Sequence, residues 1–268
     1  MDQTPGQAPM VLIVEDNPEI RALLSEHLSR TYEVYLAEDG IQGIQMAKKL
    51  LPDLIITDLM MPGKNGYELC QAIKQDQLTS HIFIIMLTVK SSEESVKKGL
   101  QKGADYYLTK PFNLELLELN VQNILRYRQN MAKSLMNEDT EQATIETQTA
   151  EELQISEIDL AFLKKLNDTI EKNLANSDFS VVDLTQELQF SKSQLYRKLK
   201  AMVGMSANTY IRTKRLQRAL ELLKTDQYTV AEVTYKVGFN DLQYFRSCFK
   251  NQYGVNPSEY LSRPSSEP

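Results

Sequence analysis

Cysteine and histidine are scarce in this chain of 268 residues, with two of each. Cys70 and Cys248 lie far apart and form neither a disulfide framework nor a metal-binding spacing. His27 and His81 lack the surroundings of a kinase phosphohistidine and read as surface or edge residues. No glycine-rich ATP-binding motif accompanies them, so any phosphoryl donor lies elsewhere. Long apolar runs are missing too: none approaches the ~18 residues that a membrane span needs. The longest, Ile82 to Leu87, is strand length. The opening MDQTPGQAP lacks the basic-then-apolar order of a signal peptide. These absences predict a cytoplasmic protein.

What is present is an ordinary globular composition, 42% hydrophobic and 25% charged, long enough for two domains with separate cores. The net charge of −6 is unevenly spread. Residues 136–155 hold six acids and no base, whereas residues 179–263 hold 13 bases against 7 acids. An acidic whole argues against nucleic acid, but the C-terminal third is basic.

The first 110 residues alternate strand and helix patterns. Apolar strands are expected at Met10–Val14, Val34–Ala37, Leu54–Thr57, Ile82–Leu87 and Tyr106–Leu108. Helical spacings run through Ile20 to Leu28, Ile41 to Leu50, Leu69 to Ile73, and Val96 with Leu100. This alternation predicts right-handed βαβ units: a doubly wound, five-stranded parallel sheet buried between helices. A further helical pattern from Leu114 toward Leu135 dissolves into NEDTEQATIETQTAEE, which reads as a linker. From Ile158 onward every periodic segment is helical.

In such a sheet, chemistry collects at the C-terminal ends of the strands. Glu15 and Asp16 follow the first strand, Asp58 the third, Thr88 the fourth and Lys110 the fifth. Three carboxylates at one edge repel one another unless a cation neutralises them, and oxygen ligands without His or Cys suit Mg²⁺. A lysine and a hydroxyl beside them complete a site for a phosphoryl group with Asp58 as nucleophile. With VLIVEDN, LIITDLMMPGKNG, IFIIMLT and YYLTKPF in this order, residues 10 to about 127 resemble a two-component receiver domain, flavodoxin-like in fold. The resemblance implies that Asp58 is the phosphoacceptor and that Glu15 and Asp16 hold Mg²⁺ with it. It implies that Thr88 bonds the phosphoryl group and that Lys110, before a cis Pro111, forms a salt bridge. Tyr107 is then the aromatic switch. Phosphorylation is expected to bias a surface made by the helix around Val96–Leu100, the fifth strand and the helix after it. Met60 and Val89, beside Asp58 and Thr88, are expected to crowd an attacking water and lengthen the life of the phosphoryl-aspartate.

FSVVDLTQELQFSKSQLYRKLKAMVG reads as helix, turn, helix. Val182, Leu184 and Leu188 are expected to face a core, Ser191 to cap the second helix, and Leu195 and Leu199 to be buried. Lys192, Ser193, Gln194, Tyr196, Arg197 and Lys198 fall on the polar face of that helix. A second unit follows in TVAEVTYKVGFNDLQYFRSCFKNQYGVNPSEYL, with Gly238 at its turn and Asn240 or Asp241 as cap. Phe245 and Phe249 point inward, and Leu242, Gln243, Arg246, Ser247 and Lys250 outward. NTYIRTKRLQRALELLK spaces the two units. Residues 179–261 resemble the AraC/XylS family, which implies an all-α, double helix-turn-helix domain entering two adjacent major grooves. Arg197 and Arg246 lead the expected DNA contacts, with Ser193, Gln194, Tyr196 and Gln243 behind them. Lys198, Arg212, Lys214 and Lys250 supply salt-dependent affinity. Gln189, at the first turn, stands where a glycine is easier.

The expected organisation is a receiver over 10–130, an acidic linker or helix extension over 131–156, and a DNA-binding domain over 157–263. The two resemblances imply a response regulator, not itself an enzyme beyond slow autodephosphorylation. A partner histidine kinase phosphorylates it, and it binds DNA, forms a homodimer and meets RNA polymerase. The alternatives are a phosphate-sink or protein-interaction module, and the C-terminal part of a hybrid sensor tethered to the inner membrane.

Overall fold

The computed structural model describes residues 8–89, 104–134 and 156–261. The chain divides into two compact units, one carrying the β-sheet together with residues 197–204 and the other most of the later helices. In the first unit, β1 (Met10–Val14), α1 (Pro18–Leu28), β2 (Glu33–Ala37), α2 (Gly40–Leu50), β3 (Leu54–Asp58), α3 (Gly66–Lys74), β4 (Phe83–Thr88) and β5 (Tyr106–Thr109) precede α4 (Leu114–Ser134). All strands pair in parallel, in the order β2-β1-β3-β4-β5. The expected helix around Val96–Leu100 lies outside the described residues.

Near-continuous apolar strands bury both faces of this sheet, because successive side chains point to opposite sides. Leu12, Val14, Ile55, Ile84 and Met86 pack with Leu69, Cys70 and Ile73 of α3. Their neighbours Val11, Ile13, Leu54, Ile56, Ile85 and Leu87 pack with Leu24 and Leu28 of α1 and Leu117, Val121 and Ile124 of α4. The helices start where the sequence supplies caps. Asn17 accepts from the amides of Glu19 and Ile20 ahead of Pro18, and Asn65 forms a reciprocal capping box with Glu68. Gly66 lets α3 begin against β3: a Cβ there would sit 2.4 Å from the Asp58 carbonyl oxygen.

The later helices are α5 (Glu157–Lys172), α6 (Val181–Leu188), α7 (Lys192–Val203), α8 (Ala207–Lys224), α9 (Val230–Lys236), α10 (Leu242–Tyr253) and α11 (Pro257–Leu261). Helices α6 and α9 each open on a capping box, Ser180 with Asp183 and Thr229 with Glu232. Asp241, not Asn240, caps α10. The turn between α6 and α7 passes through Gln189 in the left-handed region (φ 61°), and that between α9 and α10 through Gly238 (φ 78°). Phe239, Phe245 and Phe249 centre a core with Leu216, Ala219, Leu223, Val233 and Val237.

Two inward-outward expectations need correction. Val182 is exposed, because it lies roughly opposite Leu184 and Leu188, which carry the buried face of α6. Leu242 is half-buried against the aromatic core, since it precedes Phe245 and Phe249 by three and seven residues and shares their stripe. The histidines are not plain surface residues either. His27 Nε2 lies 2.9 Å from Glu118, and His81 is buried.

Candidate functional site

Parallel pairing brings the predicted pocket together at one sheet edge. Asp58 ends β3 and registers with Leu87, so Thr88 stands one residue beyond it on β4, and Thr88 registers with Thr109 on β5. Lys110 follows, its amide donating to the Thr88 carbonyl at 2.7 Å, and the Lys110–Pro111 peptide is cis, as expected. Glu15 leaves β1 with 1% of its surface exposed, and Asp58 retains 7%. Lys110 Nζ lies 2.9 Å from Glu15 Oε2 and 2.8 Å from Asp58 Oδ1. The amide of Met60 donates to Asp58 Oδ2 at 3.1 Å.

Oxygens of Glu15, Asp16 and Asp58 all lie within 4.8 Å of one another. One ammonium cannot balance three carboxylates at that range, and the donors are all oxygen, so the set fits a hard divalent cation. Burial lifts the Glu15 carboxyl above its ordinary value. The Lys110 hydrogen bond pulls it back and the Asp58 charge lifts it again, for a net rise. Burial pulls the Lys110 ammonium down, but its bonds to Asp58 and Glu15 outweigh this and hold it above an ordinary lysine.

Sequence reasoning missed Arg21. Its Nη1 donates to the carbonyls of Glu15 at 2.6 Å and Asp16 at 3.2 Å, and its Nη2 reaches Glu38 at 3.2 Å. The signal was an arginine one turn and a half beyond the acidic pair, on the helix that Asn17 starts. Lys74 was also missed: it pairs with Asp105 at 2.7 Å, and Asp105 accepts from the Ile84 amide at 2.8 Å, tying α3 to the start of β5.

Tyr107 packs against the cluster containing Cys70 and Met86. Its hydroxyl is buried and finds no hydrogen-bond partner among the described residues. Burial, followed by Cys70, Tyr67 and Asp105, pushes this phenol far above its ordinary value. Met60 and Val89 flank the pocket, 60% and 65% exposed.

On the helical unit, Ser193 and Tyr196 are exposed on α7. Gln194 is half-buried because it caps the helix, its Oε1 accepting from the Ser191 amide at 2.9 Å. Lys192 is exposed and Arg197 half-buried. Lys198 departs from expectation. It lies three residues after Leu195 on the buried stripe, and its Nζ binds Asp159 Oδ1 at 2.8 Å. On α10, Gln243, Arg246, Ser247 and Lys250 are exposed as expected. Arg212 is exposed and meets the Tyr244 hydroxyl at 3.5 Å, whereas Lys214 is half-buried, its ammonium 5.9 Å from the Tyr210 ring.

Comparison with known proteins agrees with both halves. The family model for the response regulator receiver domain matches residues 11–122, and that for a helix-turn-helix domain matches residues 184–263. Histidine kinase P4 of Formosa agariphila is 37% identical over 98% of this chain, which spans 19% of that protein's length. The DNA-binding dual master transcriptional regulator RpaA of Synechocystis is 41% identical over 44% of this chain, covering 49% of its own length. Among solved structures, chemotaxis protein CheY4 of Vibrio cholerae is 36% identical, covers 45% of this chain and all of its own, and superposes with a TM-score of 0.43. Residues 11–122 are thus a response regulator receiver domain, and residues 184–263 a helix-turn-helix domain.

Proposed function

We propose that the chain is a response regulator in which phosphorylation of Asp58 controls sequence-specific DNA binding and transcription. The observation that carries the reading is Lys110 Nζ held between Glu15 and Asp58 beside a three-carboxylate cluster, at the sheet edge of a chain whose later part matches a helix-turn-helix domain. An Asp58 carboxylate oxygen attacks the phosphorus of a phosphohistidine on a partner kinase. The P–O bond forms as the P–N bond breaks, and the imidazole leaves, taking a proton from solvent. Mg²⁺ held by Glu15, Asp16 and Asp58 would neutralise charge on the phosphoryl oxygens. Lys110 and the Thr88 hydroxyl bind those oxygens. Thr88 moves toward the new group, and Tyr107 follows into the space it leaves.

The organisation proposed is a receiver over 10–130, a linker over 131–156 and a DNA-binding domain over 157–263. Ser193, Gln194, Tyr196 and Arg197 read one major groove and Gln243, Arg246 and Lys250 the next. Phosphorylation promotes a homodimer that engages RNA polymerase in the cytoplasm. No helix among the described residues is long and apolar enough to cross a membrane.

The test is selection of DNA by the purified chain from a random duplex pool, with and without acetyl phosphate and Mg²⁺, beside an Asp58→Ala variant. Enrichment that strengthens with the phosphodonor, and no longer responds in the variant, supports the reading. Specific binding indifferent to both changes removes Asp58 as the control.

A further inference from the structure

The two helix-turn-helix units are joined by α8, yet a second connection lies beside it. Arg215, midway along α8, is half-buried and donates from Nη2 to the carbonyl of Asn176 at 2.6 Å. That carbonyl also accepts from the Phe179 amide at 3.2 Å, closing the turn that leads into Ser180, the cap of α6. Arg215 therefore holds the turn that launches the first unit. Its other side faces the second unit: a Cβ on Gly238 would lie 3.0 Å from Arg215 Nε and 2.3 Å from the Leu174 carbonyl. Leu174, two residues before Asn176, is buried in the same core as Val233, Phe245 and Phe249 of the second unit.

Three parts of the domain thus meet at one guanidinium: the turn before α6, the spacer helix, and the tight turn between α9 and α10. Gly238 has positive φ, and the close approach leaves no room for a side chain. Burial also makes the position costly for a cation, pulling the pKa of the guanidinium below the ordinary arginine value. Arg215 Nε is buried without a hydrogen-bond partner among the described residues. A position chosen only for packing would be better served by an apolar side chain.

We propose that Arg215 is a positioning residue that braces the two helix-turn-helix units at a fixed phase, so that the domain reads two half-sites at one spacing only. It touches no DNA itself. The proposal rests on the DNA-binding reading above. A rigid pair makes the second half-site encounter effectively intramolecular, whereas a loosened pair loses that advantage and accepts other spacings.

The experiment uses the full chain and the duplex it selects from a random pool. Affinity is measured for that duplex, for versions with either half-site scrambled, and for versions with one or two base pairs inserted or removed between the halves. The proteins are wild type, Arg215→Gln, Arg215→Lys and Gly238→Ala, each scaled to its active fraction. The expected result is at least a tenfold fall in the ratio of full-site to half-site affinity for Arg215→Gln and Gly238→Ala. For Arg215→Gln the half-site affinities stay unchanged and the spacing preference flattens, and Arg215→Lys recovers part of the ratio. A ratio and spacing preference equal to wild type in both Arg215→Gln and Gly238→Ala would overturn the brace. So would equal losses on full and half sites, which mark a residue needed only for folding. Failure of the wild-type chain to select any duplex would instead overturn the DNA-binding reading beneath it.

Discussion

Replacing Lys110 by methionine isolates the electrostatics of the acidic pocket. The ammonium sits 2.9 Å from Glu15 and 2.8 Å from Asp58, both almost wholly buried. At an effective dielectric of ~20, each contact is worth about 6 kcal/mol of gross attraction. Removing the lysine from water offsets several kcal/mol of that. What remains after Lys110→Met is two uncompensated carboxylates, a defect that costs about 3 kcal/mol or somewhat more. In the cation-free chain that loss lowers the receiver's melting temperature by roughly 10 °C. The penalty belongs to the ionised carboxylates, so it fades as they protonate. Thermal melts in chelator at neutral pH and near pH 4, with Glu15→Gln and the double variant completing a cycle, measure it. The double variant is expected to regain most of the lost stability, and millimolar Mg²⁺ to restore the single variant by binding the folded state. A Lys110→Met chain as stable as wild type at neutral pH in chelator, or a loss that persists undiminished near pH 4, refutes the reasoning.

Glu15→Gln alone should raise stability in chelator at neutral pH. The Glu15 carboxyl is raised in the folded state, so its ionisation opposes folding above the ordinary value of 4.5 and costs nothing well below it. Calorimetry that shows a lower melting temperature for this variant at neutral pH contradicts that sign. Tyr107→Phe removes a buried hydroxyl with no partner among the described residues, and should leave the denaturant midpoint unchanged or stabilise by about 1 kcal/mol. A loss larger than that would show that the hydroxyl is bonded. Phe245→Ala empties the centre of the aromatic cluster and should cost about 3–5 kcal/mol in chemical denaturation of the helical unit. Met60→Asn should shorten the half-life of the phosphoryl-aspartate, followed by loss of radiolabel, because an exposed thioether at the mouth of the pocket gives way to a side chain that admits water. An unchanged half-life removes Met60 from that role.

Strand-end chemistry was legible because it follows from order alone. Once apolar runs alternate with helices, Glu15, Asp58, Thr88 and Lys110 must arrive at one edge. Periodicity also foretold Leu184, Leu188, Leu195, Phe245 and Phe249. It misled where a polar residue occupied an inward position. By its charge Lys198 reads as a source of salt-dependent DNA affinity, although its spacing from Leu195 puts it on the buried stripe, where its ammonium pairs with a carboxylate distant in sequence, Asp159. Arg21 and Arg215 were invisible for a related reason. Both donate to backbone carbonyls, Glu15 and Asp16 for one and Asn176 for the other, and carbonyls leave no mark in a sequence.

Asp58 closes a strand that has a neighbour on each side and is buried along its whole length. Such a strand exchanges its amide protons only when the whole domain opens. The residue proposed to carry the phosphoryl group is therefore anchored to the part of the receiver with the least local freedom, and β5, which among the described residues pairs on one side only, is freer to respond. A mark stored on a fixed post and read at a looser margin lasts through the brief fluctuations of the loops around it.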